Sequence, residues 1–138
     1  MKKFTLAAVC LLCLAGCQND NKKAGWSKAR TEMEAQAQVC LKDARAALER
    51  ADYTTARAKV EEIRSQYNLA LNAREEAILF MDSVDMRQAT QELQRVNQLI
   101  HTQPENQDSL KAAADELSQK IKFYLRKLEH DKKNRQEH

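Results

Sequence analysis

Glycine and proline are almost missing from this chain: glycine stands only at Gly16 and Gly25, and proline only at Pro104. A sequence this poor in glycine has no G-x-G-x-x-G turn and no Walker loop to bring backbone amides against a phosphate, which excludes the nucleotide-binding motifs. Aromatic residues make up 5% of the chain, too few for the row of stacking rings that a single-strand nucleic-acid binder needs. The three histidines, His101, His130 and His138, stand in no H-E-x-x-H or E-x-x-H setting, and no metal site is signalled locally. Glu61-Glu62 and Glu75-Glu76 are adjacent carboxylates, but neighbours on a helix point about 100° apart and do not form an acid and base pair. No catalytic residue, metal ligand or cofactor is assigned to any position, and the sequence points away from an enzyme. No apolar run reaches the roughly 20 residues of a spanning helix.

What the chain does have begins at its N-terminus. Lys2 and Lys3 precede an apolar run from Phe4 to Leu14, and the small residues Ala15 and Gly16 stand directly before Cys17. This is the layout of an export signal, with a charged start, an apolar centre and a small-residue cleavage site. With a cysteine at the cut, Leu14-Ala15-Gly16-Cys17 resembles the lipobox of bacterial lipoproteins. The resemblance implies that residues 1–16 are a signal peptide, that the Cys17 thiol carries diacylglycerol, and that the new amine is acylated as well, for instance with palmitate. One acyl chain binds a membrane marginally and two bind it stably. The implied location is the bacterial cell envelope, and Gln18 in place of an aspartate points to the outer membrane, facing the periplasm or the cell surface. Cys10 and Cys13 form a C-x-x-C inside the apolar signal, so Cys40 is the one thiol left, best read as a small buried apolar residue. Without the signal the chain is near neutral, with 21 basic against 20 acidic residues. Residues 17–25 read as the lipidated cysteine and a polar linker that reaches some 25 to 30 Å at about 3.5 Å per residue.

From Trp26 onward the composition is helical: alanine, glutamate, glutamine, lysine, arginine and leucine dominate. The fold class expected is all-α, with a domain over 26–131 and a polar tail over 132–138. Apolar residues at alternating four and three spacing predict a first helix over 27–50 (Met33, Ala37, Cys40, Ala44, Ala47) and a second from an Asp52 cap through Tyr67. A third is predicted over 69–83 and a fourth over 86–102, the last opened by Asp85 and Gln88 in the manner of a capping box. A long final helix over 107–131 carries Leu110, Ala114, Leu117, Ile121, Tyr124 and Leu128.

Sliding the chain against itself by 33 residues places Ala44 on Ala77, Leu48 on Met81, Asp52 on Asp85, Ala56 on Ala89, Val60 on Leu93 and Ile63 on Val96. The segments 51–56 and 84–89 resemble the hairpin turn of tetratricopeptide repeats, although the usual tryptophan, Leu-Gly pair and closing proline of that repeat are missing from both. The resemblance implies two antiparallel helical hairpins closed by a C-terminal capping helix, with Val60 and Leu93 both buried. It also implies a concave face carrying Leu41, Arg45 and Glu49 from one unit and Arg74, Ile78 and Asp82 from the next, suited to a protein or peptide partner. The last helix is basic, with Lys120, Lys122, Arg126, Lys127, Lys132, Lys133 and Arg135. In an exported protein that charge fits anionic lipid or a protein better than nucleic acid. Its alternative use is self-association or contact with the membrane surface.

Overall fold

Ser27 opens the first helix by accepting a hydrogen bond from the Arg30 amide at 3.2 Å, and the chain then runs as α1 over Lys28–Glu49. A computed structural model describes residues 25–136, so the signal, Cys17 and most of the linker lie outside the described residues. Three further helices follow: α2 over Tyr53–Gln66, α3 over Leu71–Thr102 and, after a 3-10 turn at Pro104–Asn106, α4 over Gln107–Gln136. The described residues are all-α and contain no strand.

The turn between α1 and α2 is tight because three backbone hydrogen bonds close it, the first from the Arg50 amide to Ala47 at 3.1 Å. The Ala51 amide donates to Leu48 at 3.0 Å and the Asp52 amide donates back to Ala47 at 2.9 Å, the bond pattern of a Schellman C-cap. Ala51 sits there at φ 57°, a left-handed conformation that costs a non-glycine residue about 1–2 kcal/mol. Asp52 then caps α2 through the Thr55 amide at 3.0 Å, as its position in the sequence predicts.

The largest departure from the sequence reading is α3. A turn was expected at 84–86, but the helix passes through it without a break for 32 residues. Asp85 does not cap a helix. Its carboxylate is ion-paired with Arg57 of α2 and accepts the Tyr124 hydroxyl of α4 at 2.9 Å. With no glycine or proline between 71 and 102, nothing in the backbone forces a stop. The 33-residue shift therefore matches the α1–α2 turn to the middle of α3, and the second predicted hairpin does not form. The expected polar tail differs too, since α4 continues to Gln136.

α1 and α2 run antiparallel, with the Cys40 thiol donating to the Lys59 carbonyl at 3.4 Å. α1 is parallel to α3, as Glu34 against Ala73 and Gln38 against Glu76 require, and α4 is antiparallel to it, as Lys127 against Asp82 and Tyr124 against Asp85 require. The core lies where α1, α2 and the first half of α3 meet. Ala37, Ala44, Ala47, Ala56, Ala73 and Ala77 are fully buried and let the helices approach closely around Leu41, Val60, Ile63 and Val84. Leu93 is only half-buried, because Arg57, one turn into α2, already reaches Gln88 and the α1–α2 pair extends little further along α3. Truncating Leu41 to alanine should therefore cost about 2–5 kcal/mol, and Leu93→Ala clearly less, in urea melts of the two variants. Equal losses would show that the second half of α3 is packed as tightly as the first.

Candidate functional site

Two faces of α3 are covered, one by α1 and α2 and the other by α4. α1 and α4 do not pack on each other, and a cleft of about 500 Å³ lies between them with α3 as its floor. Leu48, Phe80, Met86, Leu125 and Leu128 give it an apolar bed, and Arg45, Glu49, Arg87, Glu129 and Lys132 line its edges with both signs of charge. Leu125 is 45% exposed, a large apolar surface left open on a helix whose other leucines are at least half-covered. Arg45 is held at the edge by an ion pair with Glu76.

Behind the cleft, polar groups fasten α2 and α4 to α3. Asp82 is only 6% exposed and receives Lys127 Nζ on both oxygens, at 2.8 and 2.7 Å. One turn on, Asp85 takes Arg57 and Tyr124, and Arg57 also donates to Gln88 at 2.6 Å. Burial raises the Tyr124 phenol above its usual 10.0, and the Asp85 carboxylate that it donates to raises it further. Burial also raises the Cys40 thiol, which keeps it protonated and unreactive in the core.

The concave face read from the sequence is divided by this arrangement. Arg45 and Glu49 do line the cleft. Leu41 does not, being fully buried against the core. Asp82 is closed off by Lys127, Arg74 Nη1 is turned onto the Asn68 carbonyl at 3.2 Å, and Ile78 lies in a smaller hollow of about 300 Å³ beside Asp131 and Arg135. On α3 the reason is α4, which lies along the strip at Ile78 and Asp82, whereas Leu41 is covered by α2 and the start of α3. Phe80, Met86, Arg87 and Leu128 also line the cleft, and the sequence does not single them out, because the seam spacing marks them as core or leaves them unmarked. Leu125 could have been found, since it falls off the four-three seam of α4.

Among the described residues no three His, Cys, Asp or Glu side chains are grouped to hold a metal, and no helix is long and apolar enough to cross a membrane. The chain matches no model of a known protein family, no characterised protein and no solved structure.

Lys127→Met should destabilise the fold by about 1–3 kcal/mol, because it leaves a buried carboxylate without its partner. Combining it with Asp82→Leu should restore most of that loss in denaturant melts. Tyr124 sets an alkaline limit. Its folded pKa is raised, so its contribution is complete below about pH 10 and is lost as pH rises through the folded value. The stability gap between the parent and Tyr124→Phe should accordingly narrow above pH 10, as read by thermal melts across that range.

Proposed function

We propose that this chain is a lipid-anchored protein of the bacterial cell envelope that holds a helix of a protein partner in the cleft between α1 and α4. The observation that carries the binding half is the cleft, with its apolar bed and two-signed edges. Its form favours one kind of ligand. Every strand-like mode of peptide capture needs a free sheet edge, and here the backbone groups of the cleft walls are engaged within helices. Recognition then falls to side chains, and an amphipathic helix can set its apolar face on Leu48, Phe80 and Leu128 while its charges meet Arg87, Glu49 and Glu129.

Chemistry has little to work with there. Ser83 is the one hydroxyl in the lining and donates to the Leu79 carbonyl at 3.4 Å, and the lining holds no histidine to act as a base. The membrane half of the proposal rests on the resemblance of residues 14–17 to a lipobox.

Each half has its own test. Cys17→Ser should move the protein out of the membrane fraction in detergent-free lysates without altering its melting temperature, and a processed variant still in that fraction would overturn the anchor. A photo-crosslinking residue at position 125 should yield a defined protein adduct that Arg87→Glu with Glu49→Lys removes while the melt stays the same. An adduct indifferent to that double change would place the partner elsewhere.

A further inference from the structure

Among the described residues α4 packs on α3 and on the turn before it, and on no other helix. Tyr124 of its seam is bonded to Asp85 of α3, so the opposite side of α4 is turned outward. At alternating three and four spacing that side carries Ser109, Ala112, Glu116, Gln119, Phe123 and Arg126, and all six are exposed. This is the spacing with which one helix faces a second. Phe123 keeps 54% of its surface exposed, although its ring is fixed edge-on to that of Tyr124 at 5.3 Å. Beside it lies a shallow hollow of about 530 Å³, with Glu116, Lys120 and Arg126 in its lining.

Charge along this part of the chain changes sign once. Residues 105–116 hold four acidic side chains against one basic, and residues 117–127 hold four basic and none acidic. Lys127 is taken by Asp82. Lys111 lies about 140° round the helix from Glu116 and is turned onto Gln107 at 3.2 Å. The groups that border the outward side are Asp108, Asp115 and Glu116, followed by Lys120, Lys122 and Arg126, and all are exposed. No ion pair among the described residues holds any of them. Glu116 and Lys120 are four apart, within reach along the helix, and still do not pair.

We infer that a second copy of this chain docks antiparallel on the outward side of α4, about a twofold axis that passes beside residue 118. Antiparallel packing sets the acidic stretch of each copy on the basic stretch of the other, whereas parallel packing sets like charge on like. The residues also fix the register, because a twofold axis brings together positions equally far from it along the helix. Asp108 then meets Arg126 of the second copy, Asp115 meets Lys122 and Glu116 meets Lys120, pairs with midpoints at 117, 118.5 and 118. Phe123 meets Ala112, with its midpoint at 117.5, where a single methyl leaves room for the ring. One axis thus satisfies all four pairings, and symmetry makes each of them twice. Such a mirrored order along one helix is the self-complementary patch that a twofold dimer requires. Leu125 and Leu128, which line the cleft, lie on the other side of α4, so the dimer leaves both clefts open and depends on neither the cleft nor the anchor.

The charges allow a test in which two copies complement each other. Two differently tagged copies of the full chain are expressed together, one with a photo-crosslinking residue in place of Gln119, which lies beside the axis. Irradiation should give an adduct that carries both tags, and the same residue in place of Lys111 should give none. Asp115→Lys with Glu116→Lys in both copies should cut the adduct about ten-fold or more, since like charges then face each other. Lys120→Glu with Lys122→Glu in both copies should do the same, with melting temperatures unchanged. Pairing a copy of the first variant with a copy of the second should restore the adduct, because opposite charges meet again between chains but not within either one. No adduct from the parent at position 119, or an equal one at position 111, overturns the dimer. An adduct that survives like charge in both copies overturns this surface, and a mixed pair that fails to restore it overturns the antiparallel register.

Discussion

The carboxylate of Asp85 decides the shape of this protein. It stands at the middle of α3, ion-paired with Arg57 from one side and accepting Tyr124 from the other, so one side chain fixes α2 and α4 to the same turn. Had it capped a helix, the chain would have turned at that point and α3 would have become two short helices. Instead α3 extends for 32 residues, about 48 Å at 1.5 Å per residue, and serves as the rod on which the other three helices are arranged. Lys127 on Asp82, one turn away, repeats the attachment of α4 in a drier setting. Groups of this kind contribute less to net stability than to choosing one arrangement, since a misregistered α4 would leave Asp82 buried without a cation.

The start of α3 shows the same dependence on distant partners. Its N-cap residue is Ala70, which has no side chain to offer the first amides, and Glu34 of α1 supplies the acceptor across the interface. A carboxylate at a helix N-terminus is favoured by the helix dipole as well as by the hydrogen bonds. Gln38 holds that carboxylate at 3.3 Å and reaches Glu76 at the same distance, and Glu76 in turn pairs with Arg45 at the edge of the cleft. The anchoring of α3 and the edge of the cleft thus share one polar chain along α1. The alanine-rich core complements it: small side chains bring α1, α2 and α3 close enough for these reaches to be made.

The cleft is a consequence of topology. With α1 parallel and α4 antiparallel to α3, both flank the first half of the rod and leave a trough between them, because neither packs on the other.

The helical class was legible in composition alone, and several boundaries were legible in capping chemistry. Ser27 and Asp52 are caps where their spacing says they should be, and Cys40 is a buried thiol. The Asp85-Gln88 pattern misled for a reason that local sequence does not contain. A capping box and a mid-helix ion pair can look alike over four residues, and the partners that settle the matter lie 28 and 39 residues away. The groove residues divide on the same ground. Arg45 and Glu49 line the cleft, whereas Leu41 and Asp82 are buried, because burial depends on which helix arrives to cover a face. By itself the sequence determined that this chain is helical, where most of its helices begin and end, and that its first residues resemble an export signal with an acylated cysteine, because those properties reside in short runs of residues. Only the tertiary structure decided that α3 is one rod and that α4 covers the strip of it at Asp82 and leaves a cleft against α1, because each depends on contacts between residues far apart in the chain.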